Sequence, residues 1–528
     1  MSDLPLSWRL RKRFWAHWET FRFALSKPKT IGQPDGDERE IKLHPFKELY
    51  PGIPLQNIPV FDRLPGVENN LGMKAIVGLG LFFERVYPQM QAGLPEIDPD
   101  PKVAVNQGLE AVYKDAYRIP VRPKYYDVEG APNLGDLAME GPYCLFIERE
   151  SEDELKWDFS FMGDYEHHPG LRSLAVKVIF NDPKRQGRPQ ALRIISKEYG
   201  EVHNPGPDSS DDAQKKLWND SALLAICAAT THTALTRHFN YVHLISGNHW
   251  DVVTRNKLPS RHAIHHLLWP QIYDSCYTNY GVTRVQMEPN GDFVNMFSYT
   301  HRGLMKFFDD MYEIYHCSMM NPREDWTKRG LDSAIDIDDA PSHENLVELY
   351  DLMYVHARRY IYHYYKSDKA LREDPFVADW LEELNRIIPN GIPGALLGNK
   401  LDRDRLAHFI GGYIYESNTI HEIAGTNLWD YQLWTDKNPI RIYSNGQRLP
   451  RDIFQRAINN NFALQLERDP LCFDYRDVAK DEAGRKLFTQ FCVDCRRLQV
   501  DYDLERWDSG DHPIWRMEPR NLNIGMNG

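Results

Sequence analysis

The stretch Ala222-Leu-Leu-Ala-Ile-Cys-Ala-Ala-Thr-Thr-His-Thr-Ala-Leu-Thr-Arg-His238-Phe-Asn-Tyr-Val-His243-Leu244 decides the fold. It is apolar with helical periodicity and too long for a strand, so it reads as a long helix. Its two late histidines, His238 and His243, stand five residues apart. On a regular α-helix that spacing separates them by about 140° around the axis, too far to grip one ion easily. A turn closed by i→i+5 hydrogen bonds would bring both onto one face, and such turns are rare and concentrate at functional sites. By itself the pair fits two unrelated histidines as well as half of a metal site.

A third histidine, His421, ends the mostly apolar run Phe409-Ile-Gly-Gly-Tyr-Ile-Tyr-Glu-Ser-Asn-Thr-Ile-His421. It is expected to be buried, and a buried imidazole needs a hydrogen bond or a metal. Other spacings carry less. His262-x-x-His265-His266 contains a zinc-helix interval, without the glutamate of a metalloprotease motif. His249-Trp-Asp251 has the interval of a facial iron triad but lies among helical patterning instead of on a barrel strand. Cys492-x-x-Cys495 has no second pair in reach and reads as two unrelated thiols, with redox or metal binding as the alternative. No phosphate loop, nucleophile elbow or dinucleotide fingerprint is present.

Outward from these motifs the chain reads mainly as helix. Leu346, Leu349, Met353, Ala357, Tyr360, Ile361 and Tyr364 line one face of a second long helix. Pro375 to Ile388 makes a third and Leu406 to His421 a fourth. Leu174 to Ile195 alternates partly with period two around the turn Asn181-Asp-Pro and reads as a small β-hairpin. Residues 31–74 and 85–135 are rich in Pro, Gly and Asp and read as a wrapping segment with short helices. Trp8, Arg9, Arg11, Lys12, Arg13, Phe14 and Trp15 open a basic, aromatic arm. The arm reads as a helix packed on the body, or alternatively as an interfacial helix touching anionic lipid.

Length alone, 528 residues, would suggest about three domains, yet no flexible linker divides the helical part. A composition 42% hydrophobic and 26% charged excludes wholesale disorder. The net charge of −13 argues against nucleic acid as the main partner. The longest apolar run, Ala75 to Phe83, is nine residues, less than half of a membrane span. Seven cysteines, an odd and sparse number, and no visible secretory signal point to a cytoplasmic, reducing location.

At this point the chain resembles the lipoxygenase family over roughly residues 135–528. Asp136-Leu-Ala-Met-Glu-Gly-Pro-Tyr-Cys-Leu-Phe-Ile-Glu-Arg149 is similar to the segment preceding the family's catalytic helices. The His238/His243 stretch resembles its first iron-bearing helix. Leu258-Pro-Ser-Arg-His262 with Leu267-Leu-Trp-Pro270 resembles its LP-x-x-HP…LL-x-PH stretch. Tyr364-Tyr-Lys-Ser-Asp368, Asp374 and Trp380-Leu-Glu-Glu follow a third family pattern. His421, 183 residues after His238, falls at the third iron histidine. Pro519-Arg-Asn-Leu-Asn-Ile-Gly-Met-Asn-Gly528 matches the family's terminus, with Gly528 where isoleucine is usual.

The resemblance implies a mainly α, single helical catalytic domain over residues 46–528 with a small β element, preceded by the arm over 1–45 and lacking the family's N-terminal β-barrel domain. It implies a non-haem mononuclear iron dioxygenase, with manganese as the alternative metal, that adds O2 to a polyunsaturated fatty acid or related lipid through an apolar channel. His238, His243, His421 and the Gly528 carboxylate are the implied ligands and catalytic set. The family's fourth side-chain ligand would fall at 425, where this chain has Gly425. Either water fills the vacancy, or Asn427 substitutes if the helix distorts. Gly281 and Val282 stand where the family often has an arginine and then a small residue tied to stereocontrol. These departures leave two alternatives: an iron oxidase or hydroperoxide-converting enzyme on a non-standard substrate, or a silent lipid-binding homologue.

The terminus carries a test. A carboxylate ligand must sit about 2 Å from its metal, so a C-terminal tag, which turns the Gly528 carboxylate into an amide, should cost metal and activity. Deleting Gly528 retracts the carboxylate by about 3.5 Å and should do the same. Gly528→Ile should retain metal, read by metal analysis of the purified protein.

Overall fold

The computed structural model describes residues 128–336, 339–432, 434, 436–445, 470–505 and 517–526, with positions 31, 34, 43–45, 58–61, 64, 65, 123 and 126 before them. Most of the arm expected over 1–45 and most of the turn-rich segments fall outside the described residues. Within them Leu43–Pro45 (β1) pairs antiparallel with Pro59–Phe61 (β2).

The architecture is mainly α with a small antiparallel sheet. The hairpin expected around Asn181-Asp-Pro exists as Val176–Asn181 (β5) and Ala191–Ser196 (β6), but it is the centre of a larger sheet. Glu148–Arg149 (β3), Glu154–Asp158 (β4) and Gly200–His203 (β7) complete five antiparallel strands in sequential order. In β4 Leu155 and Trp157 are fully buried while their neighbours are half-exposed, the period-two alternation of a strand with one wet face. That alternation is present in the sequence over only five residues, and the hairpin reading missed it.

The helices that bear on the site begin with Asp212–His232 (α1), whose entry is capped by the Asp211 carboxylate accepting from the N–H groups of Ala213 and Gln214. α1 packs on β5–β7 and runs without a break into a π-helical segment, Thr233–Gly247, and then into Asn248–Lys257 (α2). Ala263–Ile272 (α3) and Ser275–Gly281 (α4) follow, and α4 passes into a second π segment, Val282–Gln286. Pro341–Tyr364 (α5) and Pro375–Ile387 (α6) match the second and third helices expected from periodicity. Arg403–Tyr415 (α7) leads into a third π segment, Glu416–Ile420, and the short helix His421–Ala424 (α8). Thr426–Gln432 (α9) follows, and Glu482–Glu505 (α10) lies near the end of the chain.

Two glycines set how closely α7 can pack. A Cβ at Gly411 would lie 2.7 Å from the Tyr354 Cα of α5, and one at Gly412 would lie 3.0 Å from the Met320 carbonyl oxygen. α5 and α7 therefore meet backbone to backbone at Gly411, and this contact aims the chain that delivers His421. Burial then locks the pair: Tyr360, Ile361, Tyr413 and Ile414 are each 0–1% exposed. Gly411→Val should force the helices apart and lower stability by about 1–3 kcal/mol, the usual cost of overpacking. A fall in the midpoint of urea unfolding checks this, with Gly394→Val, where no described atom lies within 4 Å of the added Cβ, as the neutral control.

Candidate metal centre

The first π segment answers the question posed by the five-residue spacing. With i→i+5 hydrogen bonding through Thr233–Gly247, His238 and His243 come to one face. Their Nε2 atoms are 3.2 Å apart. The third π segment ends where α8 begins with His421, and the three imidazoles form a near-equilateral triangle. Ring centroids are 4.8 Å apart for His238–His243, 4.9 Å for His238–His421 and 5.0 Å for His243–His421. One ring nitrogen from each lies within 4.8 Å of the other two. Among the described residues no other trio of His, Cys, Asp or Glu converges in this way.

The electrostatics suit lone-pair donation. All three rings are buried. Burial, together with the neighbouring imidazoles, holds the His238 pKa well below its ordinary value and lowers that of His243 to about 3. Both are neutral at physiological pH, the form that binds metals. His243 is also fixed in one tautomer. Its Nδ1 lies 3.0 Å from the Asn279 side-chain oxygen, while the Asn279 amide nitrogen donates to Asn248 Oδ1 at 2.8 Å. An amide oxygen only accepts, so His243 Nδ1 carries the proton and Nε2 keeps its lone pair facing the triangle.

Position 425 explains the departure noted in the sequence. The helix breaks there: α8 ends at Ala424, Gly425 takes φ −103° and ψ −96°, and α9 restarts at Thr426. A Cβ at Gly425 would lie 2.8 Å from His238 Nε2 and 2.7 Å from the His421 carbonyl oxygen. The first carbon of a side chain at 425 would therefore meet the His238 ring. The helix is interrupted between His421 and Asn427. Asn427 is 1% exposed, and neither polar atom of its carboxamide hydrogen-bonds a described residue. An orphaned buried amide beside His421 in the chain is chemically suited to a metal or a metal-bound group.

The remaining expected residues are placed as follows. Gly281 closes α4, and Val282, 5% exposed, opens the second π segment one turn from Asn279. Gly528 lies outside the described residues. The tail before it is held: Gly525 N–H donates to Asn418 Oδ1 at 2.8 Å and to Gln271 Oε1 at 3.2 Å. Gln271 Oε1 also accepts from Ser417 Oγ and Asn418 Nδ2, each at 2.9 Å.

The other histidines singled out by their spacing have structural partners. His262 Nε2 faces Asp374 Oδ2 at 3.1 Å, and its Nδ1 caps α3. His265 Nδ1 faces the Leu258 carbonyl and His266 Nδ1 the Val478 carbonyl. His249 bridges the Ile245 carbonyl and the Tyr312 hydroxyl, while Asp251 pairs with Arg255. Asn279 and Gln271 were not singled out in the sequence. Both are uncharged, and only the fold shows what they hold.

No family model matches the chain. Over 309 residues it is 24% identical to the polyunsaturated fatty acid lipoxygenase ALOX15 of Mus musculus. The match takes in 56% of this chain and spans less than half, 45%, of that relative's length. The manganese lipoxygenase of Gaeumannomyces graminis superposes with a TM-score of 0.69 at 13% identity, over 92% of this chain and 96% of the other. A calcium-dependent 11R-lipoxygenase gives a TM-score of 0.73 at 13% identity, over 97% and 80%. An anaerobic LOX structure in complex with arachidonate gives 0.73 at 12% identity, over 100% and 82%. The chain has the lipoxygenase fold and resembles that family in sequence.

The Asn279 contact yields a prediction. Asn279→Leu removes the acceptor for His243 Nδ1–H and frees the ring to turn. Loss of such an outer partner lowers metal affinity about 10–100-fold, to be measured by titrating the apoprotein with Fe(II) or Mn(II) against a competing chelator.

Proposed function

We propose that this chain is a mononuclear non-haem metal dioxygenase that oxygenates a polyunsaturated fatty acid or a related lipid. The observation that carries the reading is the convergence of His238, His243 and His421 through two π-helical segments into one buried triangle of imidazoles. Two similar proteins, a polyunsaturated fatty acid lipoxygenase and a LOX in complex with arachidonate, support the substrate class.

In this reading His238, His243 and His421 hold the metal. Gly528 contributes its carboxylate, and Asn427 offers a further weak oxygen donor. A redox-active iron or manganese bound there supplies the one-electron oxidation that removes hydrogen from a weak bis-allylic C–H bond. The protein's own part is positional. Asn279 holds the His243 tautomer. The Gln271–Asn418–Gly525 hydrogen bonds anchor the tail against the third π segment. In this reading Val282, buried one turn from Asn279, shapes the wall from which O2 approaches.

The decisive experiment incubates the metal-loaded protein with a panel of polyunsaturated fatty acids, with and without added hydroperoxide. Products are read by conjugated-diene absorbance and mass spectrometry. Oxygenated conjugated dienes support the reading. Consumption of added hydroperoxide without oxygen uptake favours a hydroperoxide-converting enzyme, and a protein that retains no metal and yields no product is the silent lipid-binding homologue. His421→Ala should lose metal and activity together, whereas His265→Ala should keep its metal. If His421→Ala stays fully loaded and active, the proposed ligand set is wrong. Val282→Ala should change the position or chirality of the product, resolved by chiral chromatography, with metal content unchanged.

A further inference from the structure

The pair Cys492-x-x-Cys495 gains a third member in the fold. Cys492 and Cys495 lie one turn apart on α10, and Cys472 approaches them from the segment that enters at Pro470. Cys492 Sγ donates to the Cys472 carbonyl oxygen at 3.0 Å. That contact sets Cys472 against the helical turn that carries both Cys492 and Cys495. Cys492 and Cys495 are 3% and 0% exposed, while Cys472 is partly open to solvent beside Phe473, which is 51% exposed. The other four cysteines, Cys144, Cys227, Cys276 and Cys317, are buried singly elsewhere. Three of seven thiols thus gather where one of them meets solvent.

The surroundings give this gathering a mechanical meaning. The Cys472 segment and α10 both grip the C-terminal tail. Leu471 N–H donates to the Leu522 carbonyl at 2.8 Å, and Pro470 bridges to Asn523. From α10, Gln499 Oε1 accepts from Arg520 N–H at 3.0 Å and Gln499 Nε2 donates to Glu518 at 3.3 Å. The same tail reaches the candidate metal centre, where Asn523 Nδ2 donates at 3.0 Å to Glu422, the neighbour of His421.

We propose that Cys472 and Cys495 are an oxidation site that a hydroperoxide converts to a disulfide, joining the two elements that hold the tail. The Cys472 thiolate attacks one oxygen of ROOH. The S–O bond forms as O–O breaks, and the leaving RO⁻ takes a proton to become ROH. The Cys495 sulfur then attacks the Cys472 sulfur. The S–S bond forms as S–O breaks, and the departing hydroxide leaves as water with the Cys495 thiol proton. Two thiols lose two electrons and one peroxide gains them. Burial pushes the Cys492 and Cys495 thiols up, so both rest protonated, and the reaction starts at the more exposed Cys472. Cys492, against the Cys472 backbone, is placed to exchange into the bond.

The oxidant is either hydrogen peroxide or a fatty-acid hydroperoxide, and the test has one arm for each. The full chain without metal is treated with a stoichiometric amount of either peroxide. Free thiols are then counted, and non-reduced peptides are mapped by mass spectrometry. The proposal expects the thiol count to fall from seven by two, a linked Cys472–Cys495 peptide, and full recovery with dithiothreitol. It also expects a higher melting temperature in the oxidised form, reversed by the reductant. Cys495→Ser should remove that peptide and leave a sulfenic acid at Cys472, trapped by dimedone, or a Cys472–Cys492 link. Cys227→Ser should change nothing. Linkage in either arm supports the site, and the arm that reacts identifies the oxidant. Seven surviving thiols in both arms of the folded wild-type protein, or oxidation spread evenly over all cysteines, overturns it. Because the metal-free chain is used, the outcome is independent of the oxygenase reading.

Discussion

Widening the helix hydrogen bond from i→i+4 to i→i+5 over Thr233–Gly247 is the constraint on which the site depends. In a regular α-helix the imidazoles of His238 and His243 would diverge, and His421 would have one partner at most. The same device is used in front of His421, where Glu416–Ile420 is also π-helical. The two segments are fastened directly: Ser246 Oγ donates to Glu416 Oε2 at 2.5 Å, and Tyr315 Oη donates to the same oxygen at 3.0 Å. Glu416 is fully enclosed, and burial raises its pKa to about 7. A carboxyl so close to neutral can sit between two helices without the full cost of a buried charge. The clasp lies three residues after His243 and five before His421, and it ties the two histidine-bearing segments to one another.

Much of this was legible, and the parts that were not share a cause. The long helices could be read because their apolar faces repeat over many residues, as from Leu346 to Tyr364. The histidine triangle could be proposed because the resemblance placed metal ligands at His238, His243 and His421, although the five-residue spacing on a regular helix argued against a shared ion. The sheet was underestimated because β4 offers only Leu155 and Trp157 as its inward signal, too short a run for periodicity to register. Asn279 and Gln271 escaped notice because an uncharged amide in a helix has no spacing rule. What makes them matter is a partner 36 residues away for Asn279 and up to 254 residues away for Gln271. Cys472 was missed for the same reason: it is brought to the Cys492–Cys495 turn by the path of the tail, not by any local pattern.

The glycines show how departures from a family pattern can be read as packing. At Gly425 the lost side chain is matched by the approach of His238 Nε2, so the break in the helix and the absence of a donor there are one adjustment. At Gly411 the missing Cβ lets α7 touch the α5 backbone and so sets the height at which His421 enters.

Gly247 joins these threads. It closes the first π segment, where a Cβ would run into the Met526 sulfur of the tail and come within 2.7 Å of Asn279 Nδ2. The tail from one side and the residue that orients His243 from another therefore press on the same point of the same helix. A side chain at 247 could be accommodated only if Met526 withdrew, loosening the tail that leads to Gly528, or if Asn279 shifted, releasing the His243 tautomer. The widened helix, the fixed imidazole and the docked tail are in this sense a single packing solution, and none of the three can be altered at that point without moving another.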